Sequence, residues 1–231
     1  MPADDSQFHA FGTLHALVLV TIALAAAVLA WHGRNRPGGS QLIRWLGALV
    51  VVEWLMFHTW KATPPELRAF ETLPLQMCHW TSLAAGAYLA TQWTWLRPLL
   101  YFWGFGLCTQ ALITPVLKEG PGDPIFWHFW LSHGMIIVAA VYALVADRYR
   151  PSWRDYRTAC LATLIYGIAV LPLNLSIGAN YGFLGPSKPD QPTIVDLLGA
   201  WPARLIAIVA IVASVMAALM LPWHLIHRHA R

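Results

Sequence analysis

Long apolar segments constrain this chain more than any other feature of its sequence. Hydrophobic residues make up 58% of the 231 positions and charged residues 11%, against about 25% charged in soluble domains. This composition leaves too little polar surface for a soluble globule, and it predicts an all-α, polytopic membrane bundle of about seven transmembrane helices in a single domain. The predicted spans are 10–31, 42–60, 74–94, 98–117, 126–146, 158–173 and 201–223.

The positive charges between the spans predict their orientation. Ten Lys and Arg residues fall on one side of the predicted membrane and five on the other, and the richer side is normally cytoplasmic. We therefore expect a multi-pass protein of the cell (inner) membrane with its N-terminus outside and its C-terminus in the cytoplasm. The small basic excess then reflects topology and does not indicate nucleic-acid binding. No basic stretch precedes the first apolar run, which favours a span over a cleaved signal peptide.

Polar side chains inside the spans lie near the predicted outer ends. Cys78 lies about four residues into the third span and His133 about seven into the fifth, at depths of about 6 and 10 Å. Polar groups in a bilayer usually face the bundle interior or a wet cavity, so we expect a cavity open toward the outer leaflet. Its further lining or orienting residues are predicted to be Glu53, His58, Gln76, Gln110, Thr114, His128, Asn174, Asn180 and Tyr181.

Cys78 and His133 offer the most specific chemistry among these residues. Cys78 is near the start of a helix, where the positive end of the dipole favours a thiolate, whereas Cys108 and Cys160 are predicted to be packing residues. A neutral imidazole accepts a thiol proton at physiological pH, and Gly134 leaves room beside that of His133. The hypothesis is that Cys78 and His133 meet as a nucleophile–base pair. The structural alternative is an inert cysteine and a hydrogen-bonded core histidine.

Glu53 is the carboxylate that lies well inside a predicted span, and it has two interpretations. It forms an ion pair with Arg204, or it orients His133 as the third member of a triad. Gln110 is an alternative orienting group. Asn174 is a candidate to stabilise an oxyanion.

The ten histidines keep a second class of function open. A non-enzymatic membrane protein, either a small-solute transporter or a haem or metal-binding component, is the alternative to an enzyme. His58 and His133 are predicted at similar depths on facing spans, which is what a haem with two axial histidines needs. His79 follows Cys78 directly, so it is predicted to point away from the thiol, toward the membrane interface.

The connection before the last span, 174–200, is long and rich in Gly and Pro. Long loops in compact domains are usually functional or disordered. This one contains aromatic residues, and the residues at its end, 196–202, are typical of an ordered segment. We predict that it is either a lid over the outer cavity or an interfacial connector.

Several stretches resemble one family of proteins. Residues 73–78 resemble an LPL-x-x-C motif, 110–115 a Q-A-L-x-T-P motif and 129–134 an F-x-x-S-H-G motif. Parts of the loop before the last span, 180–181, 188–189 and 196–202, are also similar. Together, over about residues 40–225, they resemble the YwaF-like family of bacterial integral membrane proteins. That family is related to a eukaryotic transmembrane acyltransferase that makes polyunsaturated ether phospholipids.

The resemblance implies that a Cys and a His move a fatty acyl chain between lipids, and these roles fall on Cys78 and His133. The chain departs from the motifs at Gln76, where a His is expected, and at Val116, where an acidic residue usually follows Thr-Pro. The implied substrates are phospholipid and lysophospholipid in the bilayer, and the implied activity is acyl transfer, or hydrolysis if water is the acceptor. We expect no metal, nucleotide or other cofactor and no nucleic-acid partner.

Overall fold

The computed structural model describes residues 7–36, 40–64, 72–186 and 194–229, and the regular elements in these ranges are helices. A single isolated β-bridge pairs Gln7 with Glu119, and no β-strand is present in the described ranges. The all-α prediction is therefore confirmed. The helices are α1 (Thr13–Arg34), α2 (Gln41–Lys61), α3 (Met77–Thr91), α4 (Arg97–Leu99), α5 (Thr109–Ile113), α6 (Pro124–Val145), α7 (Trp153–Ile177), α8 (Arg204–Ala218) and α9 (Leu221–His229).

Five helical segments in the described chain are long and apolar enough to cross a membrane: α1, α2, α6, α7 and Arg204–Leu225. They coincide with five of the predicted spans, and they identify a membrane protein. α7 extends beyond the predicted 158–173 at both ends. Its N-terminus is closed by a capping box between Ser152 and Asp155, and the helix continues through Pro172 before Gly178 ends it in a left-handed conformation. The number of spans, their orientation and the membrane concerned stay predictions.

The third and fourth predicted spans are shorter or less regular than expected. α3 ends at Thr91 because Gln92 adopts a left-handed backbone, with φ of 61°. In the fourth, a π-helical stretch, Leu100–Cys108, joins α4 to α5. The hydroxyl of Thr109 donates to the carbonyl of Gly104, five residues earlier, at 3.0 Å. The helix ends at Ile113, because Pro115 disfavours helical geometry in the residue before it.

α3 occupies the centre of the bundle, between α2 and α6. Ala85, Tyr88 and Leu89 of α3 are buried in one apolar cluster with Ile136 and Tyr142 of α6. α1 also packs against α6, with Ile22 beside Gly134 and Gly33 beside Tyr142. The packing of α2 and α6 against α3 therefore determines which side chains of α3 contact another helix.

Small residues allow α2 and α3 to approach closely. A methyl group added at Gly47 of α2 would lie 2.2 Å from the backbone nitrogen of Ala90 and 2.6 Å from the carbonyl oxygen of Gly86, both in α3. Direct backbone contact between helices is a feature of membrane bundles, where small residues line the interface. The contact sets the register between the two helices.

Two hydrogen bonds lie at one end of the bundle, which we call the site end. The backbone N–H of Phe8 donates to the carbonyl of Lys118 at 3.1 Å. The indole N–H of Trp54, near the end of α2, donates to the carbonyl of His79, at the start of α3, at 2.9 Å. The site end also contains Cys78, the second residue of α3.

A half-buried ion pair lies at the opposite end of the bundle. Asp147, just after α6, accepts a hydrogen bond from the guanidinium of Arg97 at 2.8 Å and another from the hydroxyl of the fully buried Tyr88. Breaking such a pair leaves an uncompensated charge, so these bonds hold α3, α4 and α6 in place at that end.

The close approach of α2 and α3 makes a stability prediction. Gly47→Ala should lower the free energy of unfolding by about 1–3 kcal/mol, because the new methyl group meets backbone atoms that do not move easily. Gly167→Ala on α7 is the matched control, since its methyl would lie 3.8 Å from Leu184 Cδ1, an ordinary contact. Thermal unfolding in detergent measures both. Equal midpoints for Gly47→Ala and the wild type would contradict the backbone contact.

The predicted orientation is tested by reporter fusions. Green fluorescent protein at the C-terminus should fluoresce and alkaline phosphatase there should be inactive, because that enzyme needs the disulfides that form outside the cytoplasm. Fusions within the 118–123 connection should show the reverse. Active phosphatase at the C-terminus would show that the side richer in Lys and Arg faces outside, which would contradict the predicted orientation.

Candidate functional site

Cys78 lies in the first turn of α3, which begins at Met77 with Gln76 as its N-terminal cap. Its side chain is half-buried and packs against the main apolar cluster. It lies within electrostatic range of Cys108 and Tyr166. The thiol therefore sits near the positive end of a helix dipole, as the sequence predicts, in largely apolar surroundings.

Gln76 connects the start of α3 to the loop before α8. Its side-chain oxygen accepts a hydrogen bond from the backbone N–H of Gly182 at 3.0 Å. Gly182 has φ of 63°, and a methyl group there would lie 2.8 Å from the hydroxyl of Tyr166. That hydroxyl in turn donates to the carbonyl of Leu75 at 2.7 Å. The loop is thus fastened against the residues that precede Cys78.

Asn174 fixes the same loop from α7. It is fully buried, its side-chain oxygen accepts from the backbone N–H of Tyr181 at 2.9 Å, and its amide donates to the carbonyl of Tyr181 at 2.9 Å. Asn180 accepts from the backbone N–H of Gly185 at 2.9 Å. Through these bonds, Asn174 and Asn180 stabilise the turn. The proposed role of Asn174 in stabilising an oxyanion stays a prediction.

His133 lies on α6, buried at 5% exposure. Its Nδ1–H donates to the carbonyl of Phe129 at 2.8 Å, and the hydroxyl oxygen of Ser132 lies 3.4 Å from the same nitrogen. The lone pair of the neutral ring is therefore on Nε2, which has no hydrogen-bond partner among the described residues. The space beside Gly134 is taken by Ile22 of α1, whose Cγ1 would lie 3.0 Å from an added methyl group.

Cys78 and His133 lie on neighbouring helices, since α3 packs against α6. The cluster that contacts Cys78 includes Ile136, which is one turn beyond His133 on α6. No hydrogen bond joins the two side chains in the described part of the chain. Their direct pairing stays a prediction.

Three other imidazoles meet at the site end: His58 in the last turn of α2, His79 near the start of α3 and His128 in the second turn of α6. One nitrogen from each lies within 4.8 Å of the other two. The ring centroids of His58 and His79 are 4.6 Å apart, and those of His58 and His128 are 5.5 Å apart. We call these three residues the histidine cluster. His133 lies within electrostatic range of His79 and His128.

His79 differs from its prediction. It points away from Cys78, as expected for adjacent residues of a helix, but its Nδ1 is buried and its ring lies against the other histidines instead of at the membrane interface. No local pattern in the sequence predicts this cluster, because its members are 21 and 49 residues apart along the chain. All three histidines lie near the same end of helices that pack against one another. This common depth is the signal that would have found them.

Glu53 has a different partner from either of the two that the sequence suggested. Its Oε1 accepts from His128 Nδ1 at 2.6 Å, and neither Arg204 nor His133 pairs with it among the described contacts. The guanidinium of Arg204 instead donates to the carbonyl of Gly185. Glu53 does orient an imidazole, but that imidazole belongs to the histidine cluster.

Gln110 and Thr114 lie at the end of the fourth helical segment. Both side chains are exposed, and the hydroxyl of Thr114 donates to the carbonyl of Gln110 at 3.2 Å. No described contact joins either side chain to Cys78, His133 or the histidine cluster. Their role in lining a cavity stays a prediction.

The fold and this geometry define a helical membrane protein with a helix-terminal thiol and several buried imidazoles at one end of its bundle. Residues 8–221 match the TMEM164 family, so the chain belongs to that family. TMEM164 is the eukaryotic Cys/His acyltransferase family, which confirms the relationship that the motifs suggested. An uncharacterized protein of Treponema pallidum (strain Nichols) is 28% identical over 193 residues, covering 79% of this chain and 77% of that protein. No solved structure matches.

The bonds of Asn174 predict a local effect of mutation. Asn174→Ala should cost about 1–3 kcal/mol and loosen residues 178–186, because the buried backbone groups of Tyr181 lose their partners. Limited proteolysis of this loop and thermal unfolding in detergent report the two effects. Ser176→Ala, an exposed change on the same helix, is the control and should alter neither. Identical cleavage of Asn174→Ala and the wild type would contradict the role of the amide.

Proposed function

We propose that the protein is an integral membrane acyltransferase or transacylase that acts on phospholipid and lysophospholipid, with Cys78 as nucleophile and His133 as base. Membership of the TMEM164 family supports this activity. The observation that carries the assignment of roles is the hydrogen bond from His133 Nδ1 to the carbonyl of Phe129. It fixes the ring and leaves Nε2 as the proton acceptor, which is the arrangement that a general base requires.

In the first half of the proposed reaction, His133 Nε2 takes the proton of the Cys78 thiol. The sulfur attacks the ester carbonyl of a phospholipid, the ester C–O bond breaks, and His133 returns the proton to the departing glycerol oxygen. The products are an acyl-thioester on Cys78 and a lysophospholipid. In the second half, His133 takes the proton of a lysolipid hydroxyl, whose oxygen attacks the thioester and regenerates the thiol. Water in place of the lysolipid would make the protein a hydrolase.

The surroundings of Cys78 suit a substrate that comes from the bilayer. The thiol packs against an apolar cluster that would be compatible with acyl chains, and it lies one turn or less from the end of α3, near the depth of an ester group. The loop held by Gln76 and Asn174 covers the residues before it. We propose that this loop borders a lipid entrance at the outer leaflet of the cell membrane.

The proposal is tested by acyl exchange between a labelled phospholipid and a lysophospholipid in reconstituted vesicles. Cys78→Ala should abolish transfer, and His133→Ala should lower the rate by about 10²–10⁴-fold, the usual contribution of a general base. Cys160→Ala, which changes a half-buried cysteine of α7, is the control and should keep the wild-type rate. Wild-type rates in both Cys78→Ala and His133→Ala would overturn the assignment.

Trapping the intermediate gives an independent measurement. Incubation with labelled phospholipid in the absence of lysolipid should leave an acyl group on the protein that hydroxylamine releases, because thioesters are cleaved by hydroxylamine under mild conditions. The label should map to the peptide that contains Cys78. A label that persists in Cys78→Ala would show that another residue is the nucleophile.

A further inference from the structure

The histidine cluster has buried nitrogens without partners. His58 Nε2, His79 Nδ1 and His128 Nε2 are each inaccessible to solvent, and none has a hydrogen-bond partner among the described residues. A buried polar atom left without a partner costs about 1–3 kcal/mol, and nearly all such atoms in proteins are satisfied. One nitrogen from each of the same three rings lies within 4.8 Å of the other two, and this proximity indicates a shared ligand.

We propose that His58, His79 and His128 bind a divalent transition-metal ion of the zinc class, with Glu53 as the carboxylate that supports His128. This inference does not depend on the acyltransferase activity. Imidazole nitrogens suit Zn²⁺, Cu²⁺, Ni²⁺ and Fe²⁺, whereas Mg²⁺ and Ca²⁺ prefer oxygen ligands. The cluster has no thiol or carboxylate within the ligand set, which favours an ion that accepts three nitrogens.

The spacing fits one ion after a small adjustment. Zinc–nitrogen bonds of about 2.0–2.1 Å in a tetrahedral site place the ligand atoms about 3.4 Å apart. The three nitrogens already lie within 4.8 Å of one another on three helices. Binding one ion would require the rings to turn about their side-chain bonds so that the three nitrogens move closer together. The helix positions are also fixed independently, since Trp54 of α2 donates to the carbonyl of His79 at 2.9 Å.

Glu53 has the position of an outer carboxylate. Metal-bound histidines almost always donate their second N–H to a carboxylate, a carbonyl or water, which fixes the ring and makes the ligand nitrogen more basic. His128 donates through Nδ1 to Glu53 at 2.6 Å, and its other nitrogen, Nε2, is buried without a partner and is the one left to bind an ion. The carboxylate also offsets part of the positive charge that the ion brings into a poorly solvated site.

The packing around the cluster favours an ion over a haem. Phe57 stacks on His128 with ring centroids 3.5 Å apart, and Trp54 contacts His58 at 4.3 Å. A haem takes its two axial nitrogens on opposite faces, and the third imidazole nitrogen, within 4.8 Å of the other two, would lie where the macrocycle has to pass. A single ion needs only the point between the three nitrogens.

Three protein ligands leave one coordination position open. Structural zinc sites normally have four protein ligands, whereas catalytic sites have three and keep a position for water or substrate. No further His, Cys, Asp or Glu joins the cluster in the described ranges. The open position would take a water molecule or a carbonyl oxygen, at a depth within about two turns of the helix ends.

The test measures metal on the full-length protein, purified in detergent through an affinity tag that contains no histidine. Mass spectrometry for metals should find about one zinc per chain in the wild type and background amounts in His58→Ala, His79→Ala and His128→Ala. His224→Ala, which changes an exposed histidine at the opposite end, should keep the wild-type content. Cys78→Ala should also keep it, which separates this result from any failure of acyl transfer.

A second measurement avoids variants that fail to fold. The metal-free wild type titrated with Co²⁺ should develop the intense visible absorption bands of a four- or five-coordinate ion, at one equivalent. Glu53→Gln keeps the three ligands and should bind zinc about 10–100-fold more weakly. The proposal would be overturned if the wild type bound no zinc and gave no such cobalt bands. It would also be overturned if Glu53→Gln bound zinc as tightly as the wild type and all three histidine variants kept the full zinc content.

Discussion

The direct backbone contact between α2 and α3 at Gly47 and Gly86 is the constraint on which the rest of the site end depends. Because the helices run in opposite directions from this contact, the end of α2 meets the beginning of α3. Trp54 thereby reaches the carbonyl of His79, and His58 reaches its ring. α6 also packs against α3 and adds His128 and His133. A larger residue at Gly47 would separate these groups without touching any of them.

The first turn of α3 presents two chemical groups to different neighbours. Successive residues of a helix point about 100° apart. Cys78 therefore packs against the apolar cluster near Cys108 and Tyr166, while His79 faces His58 and His128. A proposed nucleophile and a proposed metal site thus share one helical turn. Any movement of the start of α3 would change both together.

Amide side chains at the site end stabilise the loop before α8. Gln76, Asn174 and Asn180 each bond to backbone groups in 181–185, although their positions in the sequence predict all three among the residues lining the site. A motif shows that a polar residue is present at a given depth, but it does not show whether the residue faces a substrate or a neighbouring loop. Buried backbone N–H and C=O groups require partners, and here the amides supply them.

The sequence by itself determined the all-helical membrane class, the approximate limits of α1, α2, α6 and the segment Arg204–Leu225, and the family, because apolar length and local motifs are properties of contiguous residues. It also placed Cys78 at a helix start. Only the tertiary structure decided the partner of Glu53, the burial of His79 and the meeting of His58, His79 and His128. These depend on the rotation of each helix about its axis and on helix–helix register. Glycine contacts between distant segments set both, and a single sequence does not encode them in any local pattern.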